Sequence, residues 1–388
     1  MTSTGPGGHT AIVGIGATEF SQNAGRSETR LATEAILAAL TDAGLSTNDV
    51  DGLVSYTIDP VEETELVRAL GIPEIGWSSR VPYGGAGSQG VLLHAAAAVA
   101  SGAADVVVVY RAVRARSGRR FGAARAGGAT SSHSGTTAGQ WCAPYGVLTP
   151  ASWMALNATR YMHTYGVTSE DFGRAVVGLR AYAATNPAAR FYGRPITLDD
   201  HQSSRWIAEP AIRLFDCCQE TDGSVALVIT ATDRARDTPA PVTIAAAAGA
   251  ALAGQEVGSD HYSPDLATMA GSTALARRLF DRSGIDRADL DLAMVYDAFT
   301  PVLFMQLEGL GFCGPGEAKE LVAAGAFGPG GALPLNTNGG LIGEGYIHGL
   351  NLATEAVRQL RGTAANQVDR AELALVSASR TGVILARA

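Results

Sequence analysis

The chain repeats itself, and that repeat limits the fold more than any other feature. Leu45-Ser-Thr-Asn-Asp-Val-Asp-Gly-Leu-Val-Ser-Tyr56 returns as Ile285-Asp-Arg-Ala-Asp-Leu-Asp-Leu-Ala-Met-Val-Tyr296, at the same length and on the same plan. Gly44 matches Gly284, Asp49 matches Asp289, Asp51 matches Asp291 and Tyr56 matches Tyr296. A helical pattern precedes each copy, over Glu28–Ala43 in the first, and each helix is stopped by its glycine. Helix, glycine, loop and strand in that order are common, but the shared Asp-apolar-Asp and the terminal Tyr favour duplication over chance.

Other segments pair in the same way. Ser88–Ala100 predicts an apolar helix that leads through Gly102 to a strand at Asp105–Tyr110. Leu350–Leu360 predicts its counterpart, leading through Gly362 to Glu372–Ser377. A strand at Thr10–Gly16 opens the fold, Ser224–Thr230 closes the first half and Gly382–Ala386 closes the second. Alternating strands and helices predict an α/β protein with parallel sheet and helices on its faces. The halves are expected at residues 10–238 and 239–388, the first carrying an insertion at about 111–216 that caps the site. Arg111, Arg114, Arg116, Arg119, Arg120 and Arg125 open this insertion, followed by a Gly/Ser/Thr-rich stretch and helical patterns over Ser152–Thr185. The arginines read equally as a contact for a phosphate-bearing ligand or as a solvated or oligomer-contacting face.

Composition narrows the function classes. At 388 residues with 46% hydrophobic and only 17% charged side chains, large cores and surface buried against a partner are expected. The net charge of −8 argues against nucleic-acid binding. No long uncharged apolar run predicts a membrane span, and Met1–His9 reads as a loose tail rather than a signal peptide. Cys142, Cys217, Cys218 and Cys313 form no CxxC pair, which fits a reduced, cytoplasmic compartment.

The densest motifs lie between Tyr296 and Gly362: Tyr296-Asp-Ala-Phe299, Gly-Phe-Cys313, Asn336-Thr-Asn-Gly-Gly-Leu341 and Gly345-Tyr-Ile-His-Gly349. This stretch resembles the C-terminal half of a thiolase, in the branch of the sterol-carrier-protein thiolases. In that superfamily an Asn-Glu-Ala-Phe type motif, an Asn-x-x-Gly-Gly turn and a Gly-His-Pro-x-Gly turn follow one another. The resemblance covers essentially the whole chain and implies a thiolase-like fold: two βαβαβαββ halves in a pseudo-symmetric five-layer arrangement.

The departures from the thiolase pattern carry the functional expectation. Tyr296 stands where the first motif has Asn or His, and Tyr346 where the last has the catalytic His. The turn that would carry the nucleophilic Cys reads Pro82-Tyr-Gly-Gly-Ala-Gly-Ser88, with Gly84 or Gly85 in its place, and Ser379-Arg-Thr-Gly382 lacks the second Cys. Without that cysteine no acyl-enzyme forms on it. Two tyrosines and no cysteine resemble the actinobacterial thiolase-like steroid side-chain aldolases, historically labelled lipid-transfer proteins. The resemblance implies retro-aldol cleavage of a steroid side-chain coenzyme A thioester of the 17-hydroxy-3-oxo-pregnene-20-carboxyl-CoA type, a step of cholesterol side-chain catabolism. The products would be a 17-keto steroid such as androstenedione and propionyl-CoA. It also implies a homodimer core inside a heterotetramer with a small OB-fold/zinc-ribbon partner, in which any zinc would reside.

The residues fit a cofactor-free lyase. Lys319, in a polar helical run expected to be solvated, is the chain's one lysine, so a Schiff base has one candidate. The seven histidines are scattered and no metal ligand set is read. A thioester carbonyl stabilises an α-carbanion by itself if N–H groups cradle its oxygen. Backbone at Gly85 and Ala86, beside the helix beginning near Ser88, is expected to do so, with removal of the cysteine leaving room for a bulky substrate. Tyr296 and Tyr346 are read as acid and base, with Tyr346 favoured as the base. Asp297 either orients them or caps a strand end. Asn336 holds the turn or touches substrate, His348 is a structural residue or an alternative general acid, and Glu344 is a turn residue or a partner of Tyr346. A non-catalytic acyl-CoA or sterol binding protein is the competing function. A ketoacyl-synthase-like carbon–carbon ligase is disfavoured by the missing cysteine.

Overall fold

A computed structural model describes residues 8–82, 84–118, 120, 142–253 and 263–388. Arg119, Arg125 and the Gly/Ser/Thr-rich stretch that follows, together with Tyr83, His133 and His261, lie outside the described residues.

The first half runs β1 (Thr10–Ala17), α1 (Glu28–Ala43), β2 (Gly52–Tyr56), α2 (Glu63–Leu70), β3 (Trp77–Val81), α3 (Gly90–Ser101) and β4 (Val106–Arg114). The insertion supplies α4 (Pro150–Tyr165), α5 (Ser169–Thr185), α6 (Leu198–Ser203) and a small hairpin, β5 (Trp206–Ala208) with β6 (Ile212–Arg213). The chain then returns through β7 (Asp222–Ala231) and the single turn α7 (Thr232–Ala235). The second half comprises β8 (Val242–Gly249), α8 (Ala270–Ser283), β9 (Leu292–Val295), α9 (Thr300–Gly309), α10 (Ala318–Ala323), α11 (Gly340–Gly343), α12 (Leu350–Arg361), β10 (Leu373–Ser377) and β11 (Thr381–Arg387).

Nine strands hydrogen bond in the order β3-β2-β4-β7-β1-β8-β11-β10-β9. Apart from the edge strand β3, the order is a palindrome about the β1–β8 seam, with β1 equivalent to β8, β2 to β9, β4 to β10 and β7 to β11. The sheets are mixed rather than parallel. β2–β3, β2–β4 and β9–β10 are parallel, while β4–β7, β7–β1, β10–β11 and β11–β8 are antiparallel. The hairpin Ala378–Arg380 joins β10 to β11, and so short a connection permits only an antiparallel pair. Helix α1 covers the first sheet from outside and α8 the second. Helices α3 and α12 touch strands of both halves.

The repeated Asp-apolar-Asp does the same work twice. Asp49 and Asp289 accept the backbone N–H groups of Ser46 and Asp286, each at 2.9 Å, closing one 3-10 turn before the strand. Asp51 accepts from Asp105 and Val106 N–H, and Asp291 from Glu372 and Leu373 N–H, so each carboxylate ties its strand to the start of the parallel neighbour. Gly102 and Gly362 end the two middle-layer helices in the left-handed conformation, at φ 73° and 74°.

Candidate active site

Tyr296 follows directly on β9. Its N–H bonds to the carbonyl of Ser377 on β10, and its own carbonyl accepts from the buried amide of Gln306 on α9. Tyr346 lies on the turn before α12, where its N–H donates to Thr221 Oγ1 at 3.2 Å. The two hydroxyls meet at 2.8 Å, with the rings at 61°. Tyr296 is 7% exposed.

Burial holds both phenols well above their ordinary pKa, because a phenolate there loses its hydration. At neutral pH both are protonated. For Tyr346 its hydrogen bond with Tyr296 and the charge of Arg111 oppose burial. For Tyr296 the neighbouring Tyr346 adds to it.

Gly85 sits on the 3-10 turn Gly84–Gly87 facing this pair. A Cβ at residue 85 would lie 1.9 Å from the Tyr296 hydroxyl, so that hydroxyl fills the space a side chain there would need. This makes Gly85 a position that faces the tyrosine pair. It also corrects the expectation of vacated room for substrate, since the tyrosine occupies it. The carbonyl of Gly85 accepts from Ser88 N–H and that of Ala86 from Arg380 N–H, which fixes the turn.

Asp297, Asn336 and Glu344, whose roles the sequence left open, spend their polar atoms on neighbouring backbone and amides. Asp297 is fully buried and accepts the N–H of Leu341 at 2.9 Å and of Ile342 at 3.5 Å, capping α11. Burial pushes its carboxyl up to about 7, against these backbone donors. Gly340 is required beside it, because a Cβ would lie 2.1 Å from the carboxylate. Asn336, at φ 50°, spends its amide on β9: Oδ1 accepts Val295 N–H and Nδ2 donates to Val295 O. It is a strand mimic rather than a substrate ligand. Glu344 does not bond Tyr346; the amides of Asn186, Asn338 and Asn351 surround its buried carboxyl, which burial raises to about 7.

His348 stands with its ring 4.9 Å from that of Tyr346. Its Nδ1 accepts from Arg111 Nε at 2.9 Å, which leaves the imidazole neutral with its proton on Nε2. Burial and the adjacent guanidinium drive its pKa well below the usual histidine range, so it does not serve as a cationic acid. Arg111 Nη1 in turn pairs with Asp59 at 2.8 Å, with both side chains buried. The insertion's first arginine is therefore part of the site's wall and not a phosphate contact. Arg120 pairs with Glu220 at 2.6 Å.

Sequence reasoning missed Arg111, Asp59 and the segment 217–221. Cys218 N–H bonds to Ala298 O at 2.8 Å, and Glu220 bridges Tyr346 through the backbone, so the end of the insertion lines the tyrosines. Cys218 lies near enough to oppose ionisation of both phenols. All four cysteines are free thiols. Lys319 is half-buried and donates to the Tyr165 carbonyl at 2.9 Å, which corrects the expectation of a solvated side chain. Among the described residues no three His, Cys, Asp or Glu side chains converge as a metal site, and no helix is long and apolar enough to cross a membrane.

Residues 254–387 match the family model described as thiolase C-terminal domain-like. The chain is 52% identical to 17-hydroxy-3-oxo-4-pregnene-20-carboxyl-CoA lyase of Mycobacterium tuberculosis, with 97% of each chain covered. It is 50% identical to the steroid side-chain-cleaving aldolase of Thermomonospora curvata, covering 97% of this chain and 96% of the other. A solved structure of the Ltp2-ChsH2(DUF35) aldolase superposes with a TM-score of 0.92 at 49% identity, over 98% of each chain. Human mitochondrial 3-ketoacyl-CoA thiolase, at 15% identity and a TM-score of 0.69 over 98% of each chain, shares the fold. The chain belongs to the steroid side-chain-cleaving aldolases of the thiolase superfamily.

Proposed function

We propose that this chain cleaves the side chain of a 17-hydroxy-3-oxo-pregnene-20-carboxyl-CoA type thioester by a retro-aldol reaction, giving a 17-keto steroid such as androstenedione and propionyl-CoA. The observation that carries the chemistry is the 2.8 Å contact between two buried, neutral phenols at the turn where a thiolase holds its nucleophile.

The steroid hydroxyl must lose a proton as the adjacent carbon–carbon bond breaks. The bonding electrons pass to the thioester α-carbon as an enolate, and the oxygen becomes the ketone. Because neither phenol ionises readily, a free phenolate is a poor starting base. A relay avoids it: the hydroxyl proton goes to Tyr346, the proton of Tyr346 crosses to Tyr296, and Tyr296 protonates the α-carbon. The net change is one proton moved from oxygen to carbon, with no cofactor consumed. Backbone N–H groups of Gly85 and Ala86 would cradle the enolate oxygen.

The similarity to the Ltp2-ChsH2(DUF35) aldolase supports a DUF35 partner, and we take that partner to be the small OB-fold/zinc-ribbon type around a homodimer core in a heterotetramer. Co-production with that partner and assay for propionyl-CoA tests the reading. Tyr296→Phe and Tyr346→Phe are each expected to lower kcat by at least roughly 100-fold, since each removes a link of the relay. Full turnover by both variants would sink the assignment, and binding without product in the wild type would leave an acyl-CoA or sterol binding protein.

A further inference from the structure

Behind Tyr346 lies a charged chain that the reaction as described does not use. Asp59 follows β2, Arg111 is on β4 and His348 is on the turn before α12, so the chain runs from the first half of the fold into the second. The Arg111 and Asp59 side chains are 2% and 0% exposed, and His348 is 3% exposed. Each link is made with direction. Asp59 Oδ2 accepts Arg111 Nη1, and also Ala112 N–H at 3.3 Å, while Asp59 Oδ1 accepts Val61 N–H at 3.0 Å. Arg111 Nε then donates to His348 Nδ1. His348 is held at φ 52°, a left-handed conformation costly for a residue with a Cβ. A neutral hydrophobic wall would have met the packing need without a desolvated ion pair or a strained histidine.

We propose that Asp59, Arg111 and His348 are positioning residues that fix Tyr346 as the end of the tyrosine pair receiving the substrate's proton. This rests on the retro-aldol reading. The guanidinium puts a fixed positive charge beside the tyrosine whose oxygen becomes electron-rich when its proton leaves for Tyr296. Asp59 holds that guanidinium still, so that Nε faces His348 rather than Tyr56, whose ring lies 5.9 Å away. The edge-to-face histidine ring then sets the angle of the Tyr346 ring. Tyr56 occupies the corresponding place in the first-half repeat and donates its hydroxyl to Ser88 O at 2.8 Å, outside the tyrosine contact. The ion pair behind the relay thus comes from one half of the duplication, and its histidine and tyrosines from the other.

The test uses the full chain co-produced with its partner. Removing Arg111 alone strands Asp59, so the neutral double variant Asp59→Asn/Arg111→Met is compared with Arg111→Lys, with His348→Leu and with Tyr346→Phe. Misplacing a proton-transfer group costs on the order of 100-fold. The double variant and His348→Leu are therefore expected to lose roughly 100-fold in kcat, with KM changed by less than about 3-fold and a larger solvent deuterium isotope effect on kcat. Arg111→Lys, which restores the charge without the planar fork, should recover roughly 10-fold of that loss. The proposal is overturned if the double variant keeps wild-type kcat. It is equally overturned if kcat, KM and Tm fall together with no recovery in Arg111→Lys, the mark of a merely structural role. Turnover retained in Tyr346→Phe would instead overturn the relay itself, so the two failures are told apart.

Discussion

At the scale of single residues, the site depends on the absence of a side chain at Gly85. Gly85→Ala puts a Cβ 1.9 Å from the Tyr296 hydroxyl, and the backbone turn cannot retreat while Ser88 and Arg380 hold it. The tyrosine must move, breaking its contact with Tyr346, so kcat is expected to fall roughly 100-fold. A Gly85→Ala enzyme with unaltered turnover would show that the pair does not act together. Asp297 makes a second prediction. Its folded pKa of about 7 exceeds the ordinary 3.8. The folded state therefore holds a proton that the unfolded state releases, and stability falls as pH rises from about 4 to about 7. The slope from this group is at most about 1.4 kcal/mol per pH unit. Asp297→Asn removes that titration, so its Tm should change less than the wild type's between pH 5 and 7 in calorimetry.

At the scale of elements, Lys319 shows how local pattern and long-range contact divide. Its ammonium reaches from α10 to the last carbonyl of α4, where the helix dipole favours a cation. Lys319→Ala should lower stability by about 0.5–1 kcal/mol in urea titration while leaving cleavage intact, because no Schiff base is involved. Loss of turnover with the fold preserved would revive a lysine mechanism. The sequence made α1, its glycine stop and both copies of the Asp-apolar-Asp loop legible, because capping and periodicity act within a few residues. It also marked Tyr296 and Tyr346 through the motifs around them. It left open whether Asp297 orients the tyrosines or caps a strand end and whether Asn336 holds its turn or touches substrate, because their neighbours in sequence do not say that their polar atoms turn back onto backbone. Arg111 was read with five other arginines as either a contact for a phosphate-bearing ligand or a solvated or oligomer-contacting face. Only the pairing of β4 against β2 and β7 buries it against Asp59 and His348, which lie 52 and 237 residues away along the chain. The mixed sheet was missed for the same reason, since strand direction depends on how connections close.

At the scale of the whole molecule, the duplicated halves share one interior. A single apolar cluster contains Val54, Tyr56 and Val107 from the first half together with Met294, Leu352 and Val376 from the second. Polar links cross the same boundary: Gln89 Nε2 donates to Gly349 O, Arg380 N–H to Ala86 O, and Arg361 reaches Val13 O and Asp42. The tyrosine pair comes from one half and the turn it faces from the other, so the site exists only while the halves are docked. A chain built this way should unfold as one unit despite its internal symmetry. Leu352→Ala tests this, since Leu352 is fully buried on α12, which packs on strands of both halves. The truncation should cost about 2–5 kcal/mol. Because α3 and α12 pack on strands of both halves, amide protection measured by hydrogen exchange should fall in β2 and β4 as much as in β9 and β10. A loss confined to β9–β11 would mean that the halves open independently, and that a half-open molecule loses its site before it loses its fold.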